Sequence, residues 1–146
     1  DMEAMSVLME AAGDTPVTFH RAFDHTSDPF KALEDIISLG CVRILTSGCS
    51  PTALEGAELL AQLVERAGNR IIIMPGCGVK SSNVAEIIRG CGATEVHASA
   101  RKSFASAMNY RPESVKMGNP DQDEFARCET DELEVRALVN QLATFS

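Results

Sequence analysis

The chain of 146 residues carries 21 acidic against 13 basic residues, a formal charge of −8, with 45% hydrophobic but only 5% aromatic content. That composition fits one globular domain able to bury a core. The charge repels phosphate backbones and anionic head groups, so neither nucleic acid nor a membrane surface is an expected partner, and no apolar run approaches the roughly 18 residues of a membrane span.

In chain order, an opening helix is expected over residues 1–13, stopped by Gly13. Four short runs rich in β-branched or apolar residues then read as strands: "VTFHRAF", "VRILTSG", "RIIIMPG" and "TEVHASA". The segments between them have helical spacing, with Phe30, Leu33, Ile36 and Ile37 in the first. Leu54, Leu60, Leu63 and Val64 mark the second, and Val84, Ile87 and Ile88 the third. Asp28 before Pro29 and Ser50 before Pro51 look like caps followed by first-turn prolines. Asn83 with Glu86 resembles a capping box, and Gly40, Gly68 and Gly90 are expected stops. The strands recur at nearly constant intervals, the rhythm of βα units around a parallel sheet. Residues 113–146 hold 8 acids and 3 bases and read as an acidic helical tail, with Asp121 to Glu134 as a solvated face.

The five cysteines, Cys41 to Cys128, are odd in number and form no CxxC pair, so a reducing, cytoplasmic compartment is expected. A start at Asp1 rather than methionine suggests a fragment or a processed product.

Side-chain alternation separates an open sheet from a barrel. In "TEVHASA", Thr94, Val96 and Ala98 share one face and Glu95, His97 and Ser99 the other; Arg43, Leu45 and Ser47 align in the same way. One apolar and one polar face suit a barrel, whose outer face packs on helices while polar groups point inward. Arg43 and Glu95, two strands apart, are expected to pair inside.

The strings "PVTFHRAFD", "RILTSGCSPTALEG", "IIIMPGCGV", "TEVHASAR" and "MNYR" occur in order from about Pro16 to Met117. Together they resemble the copper homeostasis protein CutC family. The resemblance implies an α/β fold of TIM-type (β/α)8 barrel architecture, of which this chain supplies strands five to eight as a single partial barrel domain. It also implies a role in copper homeostasis. Four strands cannot close such a barrel, so the missing half either binds in trans or is lacking from the sequence.

Barrel chemistry sits at the C-terminal ends of the strands. His20, Arg21 and Asp24 lie there on the first strand, Ser47, Gly48 and Cys49 on the second. Gly76, Cys77 and Gly78 lie there on the third, and His97, Ser99 and Arg101 on the fourth. Histidine can move protons and arginine can clamp a carboxylate or phosphate, so His20, Arg21, Asp24 and His97 are catalytic candidates for a small phosphorylated or anionic substrate. The plainer alternative is an Arg21–Asp24 structural pair with His20 in the core. Gly76, Gly78, Ser99 and Ala100, with Ser47 and Arg101, form the candidate anion-binding set, because glycine and small residues let an anion approach backbone N–H groups.

Copper is the other expected ligand. Cu(I) selects thiolates and thioethers, and Cys49 and Cys77 follow adjacent strands on one rim. Cys41 and Cys91 precede their strands, and Cys128 is in the tail. Met2, Met5 and Met9 form a stripe that a helix would also use for packing. A Ser47–His20–Asp24 triad lacks a GxSxG elbow, and His20, His25, Cys49 and His97 lack zinc spacing. An assembly of several copies is also expected, including a noncatalytic oligomeric scaffold as a third reading.

Overall fold

The structure is a computed structural model that describes residues 1–112, 115, 123 and 125–145. Its centre is a parallel three-stranded sheet of β1 (Thr18–Phe19), β2 (Arg43–Thr46) and β3 (Ile72–Pro75), in that order. In register, Thr18 faces Arg43, and Arg43 to Thr46 face Ile72 to Pro75. Helices α1 (Met2–Ala12), α2 (Pro29–Ser38), α3 (Ala57–Ala67) and α4 (Val84–Cys91) precede and connect the strands, giving an α/β fold with parallel pairing. No helix among the described residues is long and apolar enough to cross a membrane.

Alternation along β2 and β3 sends Ile44, Thr46, Ile73 and Pro75 into the helical layer. There they meet Leu33 and Ile36 of α2, Leu60 and Leu63 of α3, and Val84 and Ile87 of α4, all buried. Each such side chain contributes about 1.5–3 kcal/mol on leaving water, so this layer carries the stability of the unit. Arg43, Leu45, Ile72 and Met74 point the other way and stay half-buried. On that face the expected Arg43–Glu95 pair forms as a two-pronged contact, with Nη2 donating to Oε1 at 3.0 Å and Nε to Oε2. The guanidinium holds the Glu95 carboxyl below its usual range.

The helix ends follow local chemistry. Asp28 caps α2 by accepting from the Phe30 and Lys31 N–H groups, with Pro29 in the first turn. Gly13 and Gly68 end α1 and α3, both at positive φ. Ser50 and Pro51, by contrast, do not start α3. Ser50 donates to the Gly48 carbonyl, Thr52 and Glu55 close a turn, and the helix begins after Gly56. The stop of α4 is Gly92, in left-handed conformation, rather than Gly90.

Three further expectations are corrected. "VTFHRAF" is a strand only at Thr18–Phe19; from Arg21 to His25 the chain winds into a 3-10 turn, because Nδ1 of His20 accepts the Ala22 N–H and Asp24 is drawn towards β2. "TEVHASA" is not a regular strand: it runs beside β3 with the His97 N–H donating to the Pro75 carbonyl, and its last residue, Ala100, accepts the Asp131 N–H at 2.7 Å. The next strand is β4 (Arg101–Ala105), antiparallel to β5 (Ala126–Thr130), which lies within the stretch expected to be a helical tail. That tail is helical over α5 (Glu132–Leu142) and the short turn after it, with α5 capped by Asp131. Asp121, Gln122 and Glu124 of the expected acidic face, and Met117 at the end of the family-like stretch, lie outside the described residues.

One ion-pair cluster makes stability depend on pH. Glu34 of α2 accepts from Arg66 Nε at 3.1 Å and from Arg70 Nη1 at 2.6 Å, tying α2 to the end of α3. Hydrogen bonds from Arg70, then Arg66, lower its pKa from 4.5 to about 2. Because the unfolded chain then binds this proton more tightly, the contribution is complete above about 4.5 and is lost as pH falls towards about 2. Glu34→Gln is therefore expected to flatten that part of an acid-unfolding profile, with a smaller difference in high salt, where exposed charges are screened.

Candidate functional site

The site starts from one carboxylate. Asp24, in the 3-10 turn after β1, has a side chain only 6% exposed. Its Oδ1 accepts from the Thr46 hydroxyl, the Ser47 N–H at 3.1 Å and the Cys49 N–H at 3.2 Å. Its Oδ2 accepts from Arg21 Nε at 2.7 Å. The Ser47 hydroxyl lies 3.1 Å from that oxygen and 2.6 Å from the Ser50 carbonyl, and can donate to one of them. Burial alone pushes the Asp24 carboxyl up, but the bonds from Thr46, Arg21, Cys49 and Ser47 outweigh it and hold the group below the usual carboxylate range. With its lone pairs engaged, Asp24 stays ionised and positions Arg21 rather than exchanging protons.

Arg21 is fixed at two points. Besides Nε on Asp24, its Nη2 donates to Ser47 Oγ at 3.0 Å, while the side chain keeps 41% exposure. The Asp24 hydrogen bond raises its already high pKa against the effect of desolvation, so it is a permanent cation aimed at the cleft beside it.

That cleft has a volume of about 750 Å³. Of the residues singled out from sequence, Arg21, Cys77, Gly78 and His97 line it, as do Ser99, Ala100 and Arg101. His20, Asp24, Ser47, Gly76 and Cys49 do not. His20 is exposed, capping its own 3-10 turn with its ring 5.7 Å from that of Phe19. Gly76 acts by being small: a Cβ there would stand 2.5 Å from Leu45 Cδ1 and 3.4 Å from His97 Cβ, so glycine lets the 94–100 segment lie against β3. Asn83 shapes the next loop, accepting the Lys80 N–H at 2.8 Å and donating to the Gly78 carbonyl at 2.9 Å, instead of capping α4 with its side chain.

Sequence reasoning missed Lys80, Ser81, Ser82, Lys102, Asp131 and Glu134, the other polar residues of the lining. The polar run Lys80–Ser82 directly after "PGCGV" was a visible signal. Lys102, Asp131 and Glu134 were not accessible, since their positions depend on the β4–β5 pairing. Four cations, Arg21, Lys80, Arg101 and Lys102, line the cleft against the carboxylates of Asp131 and Glu134, with ionised Asp24 behind Arg21, which leaves a small positive excess in a chain of charge −8. Arg101 and Lys80 form no ion pair among the described residues. Such a bowl attracts anions.

The loops after β2, β3 and residue 99 each hold a non-glycine residue in left-handed conformation: Cys49 (φ 54°), Cys77 (φ 78°) and Ala100 (φ 45°). Left-handed backbone costs about 1–2 kcal/mol per residue and persists only where surrounding contacts impose it. Here those contacts include the Cys49 N–H on Asp24 and the bond from the Ala53 N–H to the Cys77 carbonyl.

The rim thiols are a weaker constellation. Desolvation, and then the Asp24 charge, push the Cys49 thiol up, away from the thiolate a soft metal takes. The Cys77 thiol lies 3.2 Å from the Pro51 carbonyl and donates to it. Among the described residues no group of three or more His, Cys, Asp or Glu side chains is placed to hold a metal ion.

A model of the CutC family matches residues 1–102. The chain is 50% identical over 138 residues to the family protein CutC of Chromobacterium violaceum, a match covering 94% of this chain and 56% of that protein. It is 46% identical over 139 residues to the copper homeostasis protein cutC homolog of Homo sapiens, covering 94% and 51%. A crystal structure of CutC from Streptococcus agalactiae matches with a TM-score of 0.63 and 38% identity, over 66% of this chain and 48% of that one. The chain spans about half the length of the curated relatives it matches.

Proposed function

Because the chain belongs to the CutC family, we propose that it serves in copper homeostasis, the role for which its mammalian relatives are named. In this reading β1, β2, β3 and the segment 94–100 stand for strands five to eight of a TIM-type (β/α)8 barrel, working in the cytoplasm as an assembly of several copies. Copper is its cargo, carried as Cu(I), with Cys49 and Cys77 as the thiols at hand on the rim. The family match carries the reading; the raised Cys49 thiol means that copper must displace a tightly held proton. Competition with a chromogenic Cu(I) chelator under anaerobic conditions tests it. Cys49→Ser and Cys77→Ser are each expected to weaken Cu(I) binding at least tenfold, and unchanged affinity in both would remove these thiols as ligands.

The cleft favours a second reading, a barrel enzyme or binding protein for a small phosphorylated or anionic ligand. Its support is the gathering of Arg21, Arg101, Lys80 and Lys102 with the glycine and small-residue loops at Gly78 and Ala100. Arg21 is the clamp and His97 the group able to move a proton within the cleft; His20, on the outside of the 3-10 turn, is the more distant candidate. Arg21→Gln is expected to weaken phosphate binding at least tenfold by calorimetry, since it removes a charge-assisted hydrogen-bond donor held in place by Asp24. Equal affinity in wild type and variant would end this reading.

A further inference from the structure

Glu134, on the first turn of α5, reaches across to the loop before α4. Its Oε1 accepts the Ser81 N–H at 2.7 Å and its Oε2 accepts the Ser81 hydroxyl at 2.8 Å. A carboxylate from the far end of the chain thus takes both donors of one serine, inside the cation-lined cleft. These bonds, backbone first and then hydroxyl, hold the Glu134 carboxyl below its usual range, so it is charged where it sits. The match between site and occupant is incomplete. Glu134 brings one negative charge, while Lys80, Arg101 and Lys102 line the same cleft, and the one ion pair they form among the described residues, Lys102 with Asp131, is long at 3.9 Å. A phosphate group carries close to two charges and three acceptor oxygens, which suits one N–H, one hydroxyl and several cations better than a carboxylate does.

We propose that the Ser81 N–H and hydroxyl, with Lys80, Arg101 and Lys102, form a phosphate subsite of the cleft, which the chain's own Glu134 fills until a phosphate-bearing ligand displaces it. This rests on the small-anion reading of the cleft and adds where the anionic group sits and what competes with it. Displacement also loosens the first turn of α5, which the Ser81–Glu134 contact joins to the loop before α4, while buried Leu138 keeps the rest of the helix on the core.

Calorimetric titration of the full chain with inorganic phosphate, and in parallel with glycerol 3-phosphate, at constant ionic strength tests the proposal. Glu134→Gln removes the competing charge and is expected to bind both at least tenfold more tightly than wild type, while Ser81→Ala binds more weakly. In wild type, saturating phosphate is expected to speed hydrogen exchange at amides of residues 132–136, in the first turn of α5. Tighter binding of the ester than of free phosphate assigns the ligand an organic portion, and equal binding assigns the free anion; either supports the subsite. If Arg21→Gln abolishes phosphate binding but Glu134→Gln leaves it unchanged or weaker, the cleft reading stands and the competing role of Glu134 falls. If neither wild type nor Glu134→Gln binds phosphate or the ester, both fall.

Discussion

Asp24→Asn is expected to lower the unfolding free energy by about 2–4 kcal/mol, the range for buried donors left without their acceptor and for a broken, partly buried ion pair. The amide keeps the shape of the side chain but can accept through one oxygen only. The Thr46 hydroxyl, the Ser47 and Cys49 N–H groups and Arg21 Nε cannot all be satisfied by it, and its NH2 group would face donors. Urea unfolding with an unchanged denaturant slope and a lower midpoint checks the size. Phosphate affinity should fall as well, because Arg21 loses the partner that aims it. Ser47→Ala, which removes one hydroxyl from the same network, should cost less, about 1 kcal/mol. A similar loss in the two variants would mean that Asp24 is not the hub.

Gly56→Ala is expected to cost about 3 kcal/mol or more, at the upper end for overpacking. The φ of Gly56 is an ordinary −89°, so conformational freedom is not the reason. The reason is contact: an added Cβ would lie 1.9 Å from the Ser47 carbonyl oxygen and 3.0 Å from Gly48 Cα, both backbone atoms that no rotamer change can move aside. Gly48 meets the reverse problem, with its Cβ position 2.4 Å from the Gly56 carbonyl oxygen and a φ of 70° besides. The start of α3 is thus pressed against the loop whose amides grip Asp24. Gly56→Ala should disturb anion binding as well as stability, whereas an alanine at Gly68, where nothing lies within 4 Å, should show only the strain of its positive φ. Thermal unfolding of the two variants side by side checks this.

What the residues made legible, and what they did not, divides along one physical line. Helices α1 to α4 and strands β2 and β3 follow from periodicity, and α2 from its Asp28–Pro29 cap as well, whereas the expected starts of α3 and α4 do not form. The Arg43–Glu95 pair was readable too, since alternation along two strands fixes which side chains share a face. The segment after Gly92 was not. "TEVHASA" has the composition of a strand but only one backbone bond to β3, and strand pairing needs a partner that composition does not supply. "RKSFA" becomes a strand instead, through residues 126–130, which local acidity suggested were helical. His20 shows the same limit in a side chain. Its position at the end of β1 suggested the site, but a local bond to Ala22 turns it into a cap. Arg21 was legible as a clamp, whereas the five donors converging on Asp24 were not, because four of them come from the last residue of β2 and the loop after it.

In the anion-binding reading, Arg21, Gly78, His97 and Ala100 border one bowl. A nitrogen-resolved NMR titration with inorganic phosphate tests it most directly. The Arg21 Nε–H and the Gly78, Ser81 and Ala100 amides are expected to shift together and saturate with a single dissociation constant, while Arg66, Arg70 and Arg136 on the outer surface stay still. Shifts that never saturate, or that move the outer arginines and leave Arg21 and Gly78 untouched, would contradict it.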